Sequence, residues 1–337
     1  MSDKILNVVN GDAAADRIKG AGLAGDVLVW RDVLHDGPVP GGLSMSELSM
    51  VRAKFLAEGL DMDGAELQRN FLLRDAHLGS ARDYDRVVLW FEHDLYDQLQ
   101  ILQLLDWFAE NSIGEKLWMI CIDHFEGIDP FHGLGQLTED NFKSLVGTEV
   151  PVDAPMLDLG QKAWAAFRSD NPSAWAGLLE EDLTSLPFLS ASVLRFLEEF
   201  PAPQTGLGRT ERGILEVLES DEMGPGPLFQ AVLLKEEAPF MGDWSFWRLV
   251  EELTSGPVPF LTTRSGKRFR HPPELEEMDV FIAQLLKPTD EGRAVLAGGA
   301  DRVALGGYHR WFGNVEMKSG EVVWRWDPST KLLKKDG

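Results

Sequence analysis

The chain holds a single cysteine, Cys121, so no disulfide can form within it and no zinc site built on several thiolates is available. Histidines number only seven, which leaves sets of imidazole and carboxylate as the route to a bound metal. Basic residues are scarce as well: 32 Lys and Arg face 55 Asp and Glu, for a formal charge of -23. Such a surface repels phosphate backbones and anionic lipid, so a protein that coats nucleic acid is not expected. Long apolar runs are missing. The longest, Val87–Phe91 and Leu117–Ile122, fall far short of the roughly 20 residues of a membrane span. The N-terminus runs from Met1-Ser2-Asp3-Lys4 straight into a short apolar segment, without a basic leader or a signal-length stretch, so a cytoplasmic protein without a membrane partner is expected.

What is present is ample apolar surface. The 337 residues are 44% hydrophobic and 26% charged, the proportions of a soluble globular chain long enough for two domains or three small ones. The first 150 residues alternate short apolar runs with amphipathic stretches, the pattern of an open, mostly parallel, Rossmann-like α/β sheet buried on both faces. Strands are predicted at Leu6–Val9, Val27–Trp30, Arg86–Phe91 and Leu117–Ile122. Helices are predicted at Ala13–Gly20, Ser46–Glu58, Gly64–Leu78, Asp94–Asn111 and Thr138–Val146. Strand signals stop between 150 and 200, where Trp164, Phe167, Trp175 and Leu178 fall in helical stretches. The expected organisation is an α/β domain over 1–149, a helical connector over 150–200 and a winged-helix-like α+β domain over 201–337.

In that last part, a helix capped by Thr210, a second from Pro227 and a third capped by Asp243 precede a strand over Pro259–Thr263, a basic turn and a return strand around Phe269, the element order of a winged helix. A further helix is expected over Pro273–Leu286, a short one near Glu291–Leu296, and strands over Trp311–Met317 and Val322–Trp326. Residues 201–337 hold 17 Lys and Arg against 21 Asp and Glu, whereas residues 1–200 hold 15 against 34. Arg264, Lys267, Arg268 and Arg270 crowd the turn, where a wing lays cations on a phosphate backbone or a protein partner. The preceding helix carries Asp243, Glu251 and Glu252, a poor surface for a duplex.

Open parallel sheets bind ligands beyond the carboxyl ends of their strands, where loops and helix N-termini converge. The four predicted strands are followed there by Asn10-Gly11-Asp12, by Arg31-Asp32 and His35-Asp36-Gly37-Pro38, by Glu92-His93-Asp94, and by Asp123-His124. Imidazoles and carboxylates gathered in this way exchange protons near neutral pH or hold a divalent cation, with Glu92 or Asp94 joined by His93, His124 and His35 as the candidate ligands. No pair has the helical spacing of a zinc-protease motif. Glu92, His93 and Asp94 are consecutive and alternate in direction, so all three do not face one ligand. Asp12 and Asp94 stand where helix N-caps are wanted. One glycine and an acidic residue after the first strand speak against phosphate binding there. Cys121, inside a predicted strand, reads as a core residue.

The segments Val8-Val9-Asn10-Gly11-Asp12, Gly25-Asp26-Val27-Leu28-Val29-Trp30-Arg31-Asp32, Gly37-Pro38-Val39-Pro40 and Leu89-Trp90-Phe91-Glu92-His93-Asp94-Leu95-Tyr96-Asp97-Gln98 resemble the bacterial family catalogued as domain of unknown function 1835. The resemblance covers about the first 130 residues. It implies that Asn10, Asp12, Arg31, Asp94 and Gln98 are shared motif positions, and it names no reaction. The chain departs from the family pattern at Asp32 and around His35 and Asp36.

Two readings follow. One is an enzyme, a hydrolase or group transferase, whose small polar or anionic substrate is anchored by Arg31. Its catalytic candidates are Asp12, His35, His93 and Asp94, with Asn10, Arg31, Asp36, Glu92, Gln98 and His124 as binding residues. The other is a ligand-sensing regulator that contacts protein or nucleic acid through Arg264, Lys267, Arg268 and Arg270.

Overall fold

The computed structural model describes residues 3–60, 63–271 and 277–336. By its internal contacts the chain forms two compact units, Met1–Val193 and Leu194–Gly337.

The first unit is built on a five-stranded sheet. Its elements run β1 (Ile5–Val9), α1 (Asp12–Gly20), β2 (Asp26–Val29), α2 (Met45–Leu60), α3 (Gly64–Gly79), β3 (Arg86–Glu92), α4 (Leu95–Glu110), β4 (Leu117–Ile122), α5 (Glu139–Leu145), β5 (Val150–Pro151), α6 (Ala154–Phe167) and α7 (Ser173–Gly177). The strand order is β2-β1-β3-β4-β5, with the first four parallel and β5 antiparallel to β4. Because side chains alternate along a strand, β3 serves two cores. Val88 and Trp90 pack with Ala14, Ala15 and Ile18 of α1 and Phe142 of α5. Burial on both faces is why these strands read as continuous apolar runs. The polar Asn7 inside β1 is satisfied, accepting from Trp90 Nε1 at 3.0 Å and donating to the Ala24 carbonyl at 3.1 Å. The chain moves from β1 to β2 on one side and returns to β3 on the other, so the topological switch point lies between the carboxyl ends of β1 and β3.

The division between units falls within α8 (Leu189–Leu197). The second unit continues with α9 (Arg209–Val217), α10 (Pro225–Leu233), α11 (Asp243–Leu253), β6 (Leu261–Thr263), α12 (Met278–Ile282), β7 (Leu286–Pro288), α13 (Asp290–Leu296), and the hairpins β8 (His309–Phe312) with β9 (Val315–Lys318) and β10 (Trp324–Asp327) with β11 (Leu332–Lys335). Its core gathers Ile214, Leu228, Phe246, Leu253, Phe260 and Phe269 among others. The strand that returns to β6 is β7 and not a segment around Phe269. Phe269 is fully buried against Phe281, and the backbone of Arg270 is satisfied by one side chain: its N–H donates to Gln284 Oε1 at 3.0 Å and its carbonyl accepts from Gln284 Nε2. A glutamine thus stands in for a ladder. Met223, between α9 and α10, forms an isolated antiparallel bridge with Leu286.

Other sequence expectations need correction. The helix expected to stop before Gly59 runs through it as α2, since one glycine in a last turn costs only about 1 kcal/mol. Of the helix expected over Pro273–Leu286, the described part is helical only at Met278–Ile282, and 272–276 lie outside the described residues. The segment Trp311–Met317 is not one strand, because a turn at Gly313-Asn314 splits it into β8 and β9. Asp12, Thr210 and Asp243 do not cap their helices. The caps are Gly11, Gly208 and Gly242, which leaves those side chains to other partners.

Candidate functional site

Three carboxyl groups meet at the switch point. Glu92 ends β3, Asp94 is the N-cap of α4 and accepts from the Asp97 N–H at 3.1 Å, and Asp97 lies in the first turn of that helix. Asp97 turns back to accept from the Glu92 N–H at 2.5 Å. Asn10, one residue past β1, places its Nδ2 2.9 Å from Glu92 Oε1 and 2.9 Å from Asp97 Oδ2, so one amide binds two carboxyl groups. A loop after β4 closes over them, where the Leu134 N–H donates to Glu92 Oε1. Gly133 makes this approach possible. Its φ of 141° is open only to glycine, and an added Cβ would fall 2.0 Å from Glu92 Oε2. Oxygens of all three carboxyls lie within 4.8 Å of one another, and all three residues are buried.

Burial dominates the electrostatics. It raises the proton affinity of Glu92, partly opposed by the Leu134 N–H, Asn10 and Asp94. It raises Asp94 well above the usual carboxylate range, with the Glu92 charge adding to it, and raises Asp97 likewise, with the charges of Asp94 and Glu92 adding. The Glu92 and Asp94 side chains act on each other's proton affinity, and two carboxyl groups hydrogen-bond only when one of them holds a proton. The cluster therefore holds protons that isolated carboxylates release. Its donor set is all oxygen, which suits a hard divalent cation.

The histidines stand apart from the cluster. Alternation turns His93 away from Glu92 and Asp94, between Phe131 and Phe188, where burial lowers its proton affinity and Asp123 opposes that effect. His124 is exposed and pairs with Asp123 at 2.6 Å. His35 is buried edge-on to Tyr96. Asp12 and Arg31 form an exposed ion pair with each other, so Arg31 is not an unpaired anion anchor. Asp36 is half-buried in a loop that Arg52 organises: fully buried, Arg52 pairs with Asp32 at 2.8 Å and donates to the carbonyls of Val33, Asp36 and Pro38. Gly37 in that loop has φ 77°, with the Phe55 ring filling the space of its missing side chain.

Gln98 lies next to the cluster. Its Nε2 donates to the Glu92 carbonyl at 2.9 Å and sits 3.4 Å from Cys121 Sγ, whose thiol donates to the same carbonyl at 3.2 Å. Burial, with the Asp97 charge adding to it, pushes the Cys121 thiol well up, so it is protonated and a poor nucleophile. Sequence reasoning left Asp97 out of the site. Its only local sign is an acidic residue three positions after an N-cap aspartate, a spacing that also serves ordinary helix starts.

In the second unit, Arg264, Lys267, Arg268 and Arg270 are exposed and together line a groove of about 1130 Å3, with Glu277 and Asp279 on the same groove. Among the described residues, Arg264 pairs with Glu222 at 2.8 Å and Arg268 with Glu251 at 3.3 Å. Among the described residues no helix is long and apolar enough to cross a membrane. No family model matches the chain, and no curated protein matches it either.

Proposed function

We propose that the first unit binds a small polar ligand at the carboxyl edge of its sheet and exchanges protons with it through Glu92, Asp94 and Asp97, as the acid/base centre of a cytoplasmic hydrolase or group transferase. The observation that carries this reading is the gathering of three buried, proton-retaining carboxyls at the switch point of an open α/β sheet. Carboxyl pairs whose environments keep one proton between them are the means by which hydrolytic sites supply both an acid and a base. Asn10 orients Glu92 and Asp97, and the Asp12–Arg31 ion pair lies at neighbouring strand ends, where an incoming polar group meets both signs of charge. A divalent cation bound in place of the shared proton is a variant of this reading.

A second reading is favoured by the larger groove. The order α9, Met223 bridge, α10, α11, β6, turn, β7, with Met223 paired to Leu286, supports a winged-helix-like unit whose basic turn contacts protein or nucleic acid in a regulator. A thermal-shift screen of the wild type, Asp94→Asn and Arg31→Ala against divalent metals, nucleotides, phosphosugars and short DNA separates the two. A small-molecule or metal shift lost in Asp94→Asn, followed by NMR detection of turnover, supports the first. A shift with DNA alone, unchanged by either substitution, overturns it in favour of the second.

A further inference from the structure

One strand away from the carboxyl cluster the first unit keeps an open cavity of about 560 Å3, within the usual range of small-molecule sites. It lies on the carboxyl half of β4, between α4, β5, the start of α6 and the segment 185–188. Ten of its fifteen lining residues are apolar, which makes its body suited to an aromatic or aliphatic group. Its polar end is Gln98, which is only 3% exposed.

The orientation of that side chain follows from its neighbours. The Glu92 carbonyl is purely an acceptor, so the amide nitrogen of Gln98 must face it. The amide oxygen is therefore turned to the other side, and among the described residues no donor reaches it. The floor of the cavity thus offers an unfilled acceptor. At the rim stands a second one, the carboxylate of Asp153, which caps α6 through the Met156 N–H at 3.0 Å. None of the described lining residues is Lys, Arg or His, so the described lining holds no cation to receive an anionic group.

We propose that this cavity is a binding site for a small, predominantly apolar molecule that carries a hydroxyl or N–H donor and no anionic group, seated with its donor on Gln98 Oε1. The site stands on its own lining and needs no proton exchange by the carboxyl cluster. An anion fails here for a physical reason: it loses hydration on entry and meets acceptors where it needs donors. An uncharged donor replaces a water bond with one to a buried carbonyl, while its apolar body covers Ile101, Ile122 and Met156.

Two indoles of nearly equal size test this on the full-length protein: tryptophol, which ends in a hydroxyl, and indole-3-acetate, which ends in a carboxylate. With isoleucine and methionine methyls labelled for NMR, tryptophol is expected to shift Ile101, Ile120, Ile122, Met119 and Met156. Indole-3-acetate is expected to bind at least about tenfold more weakly, as unreciprocated burial of an ionised group requires. Ser185→Trp, at the rim, is expected to abolish the tryptophol shifts while leaving the remaining methyl spectrum folded. Gln98→Leu is expected to weaken tryptophol about tenfold, the loss of one buried hydrogen bond, and Ser185→Trp keeps the test decisive if that variant misfolds. Equal or tighter binding of the acetate, shifts that survive Ser185→Trp, or no tryptophol shift at these methyls at millimolar concentration would each overturn the assignment.

Discussion

Asn10 Nδ2 lies 2.9 Å from Asp97 Oδ2, which joins the end of β1 to the first turn of α4 across 87 positions of chain. The same amide nitrogen reaches Glu92, so a single neutral side chain holds together two groups that would repel each other if both were ionised.

Replacing Asn10 with alanine removes that shared donor and leaves buried carboxyl oxygens without it. Urea unfolding should show the first unit destabilised by about 1–3 kcal/mol, the cost of an unsatisfied buried polar group. A loss near zero would mean that water supplies the missing donor and that Asn10 orients nothing.

The raised proton affinities have a definite sign. The unfolded carboxyls titrate near pH 4, and in the folded state Glu92, Asp94 and Asp97 do so at higher pH. Between those limits the folded state binds more protons, so the contribution of the cluster is fully present below about pH 4 and declines as pH rises, by up to about 1.4 kcal/mol per pH unit for each group. Asp94→Asn keeps the helix cap and mimics the protonated acid. Its urea midpoint should fall less steeply as pH rises above the ordinary carboxylate range than that of the wild type, and parallel profiles would contradict the shared-proton picture.

Gly133→Ala forces a side chain into Glu92 at a backbone angle reserved for glycine. The loop should lift from the cluster at a cost of about 1–3 kcal/mol. Hydrogen exchange at the Leu134 amide is the direct readout. Protection equal to the wild type would show that the loop closes without touching Glu92.

Arg52→Met leaves the Asp32 carboxylate buried without its partner and strips donors from three loop carbonyls. Removal of one member of a buried pair costs about 3–5 kcal/mol. The double variant with Asp32→Asn should recover part of that loss, and limited proteolysis should cut the 33–40 loop in the single variant first. A double variant no more stable than the single one would place the cost in the loop carbonyls and not in the uncompensated charge.

The sheet was the most legible part of the fold because its strands are buried on both faces. Leu117–Ile122 was readable to the residue for that reason, and helix α4 announced itself by its apolar spacing and by Asp94 as its cap. Two-residue β5 and the β8–β9 turn carry no comparable pattern, since too few side chains alternate to mark a face. At the site, the sequence placed Asn10, Glu92 and Asp94 at strand ends but also counted three histidines with them. Distance along the chain from a strand end says nothing about direction, and His93 turns to the opposite side from its neighbours. Asp97 escaped notice because its partners, Asn10 and the Glu92 amide, become visible only once β1 and β3 lie side by side.

The shortness of β5 bears on how this protein survives crowding. An uncovered strand is a template on which another chain can polymerise, edge upon edge. Here the sheet finishes in Val150–Pro151, two residues, of which the proline has no N–H to extend. A neighbouring molecule finds too few bonding groups to grow a fibre from, so that margin of the sheet can remain near the surface, with Val150 50% exposed, without seeding aggregation.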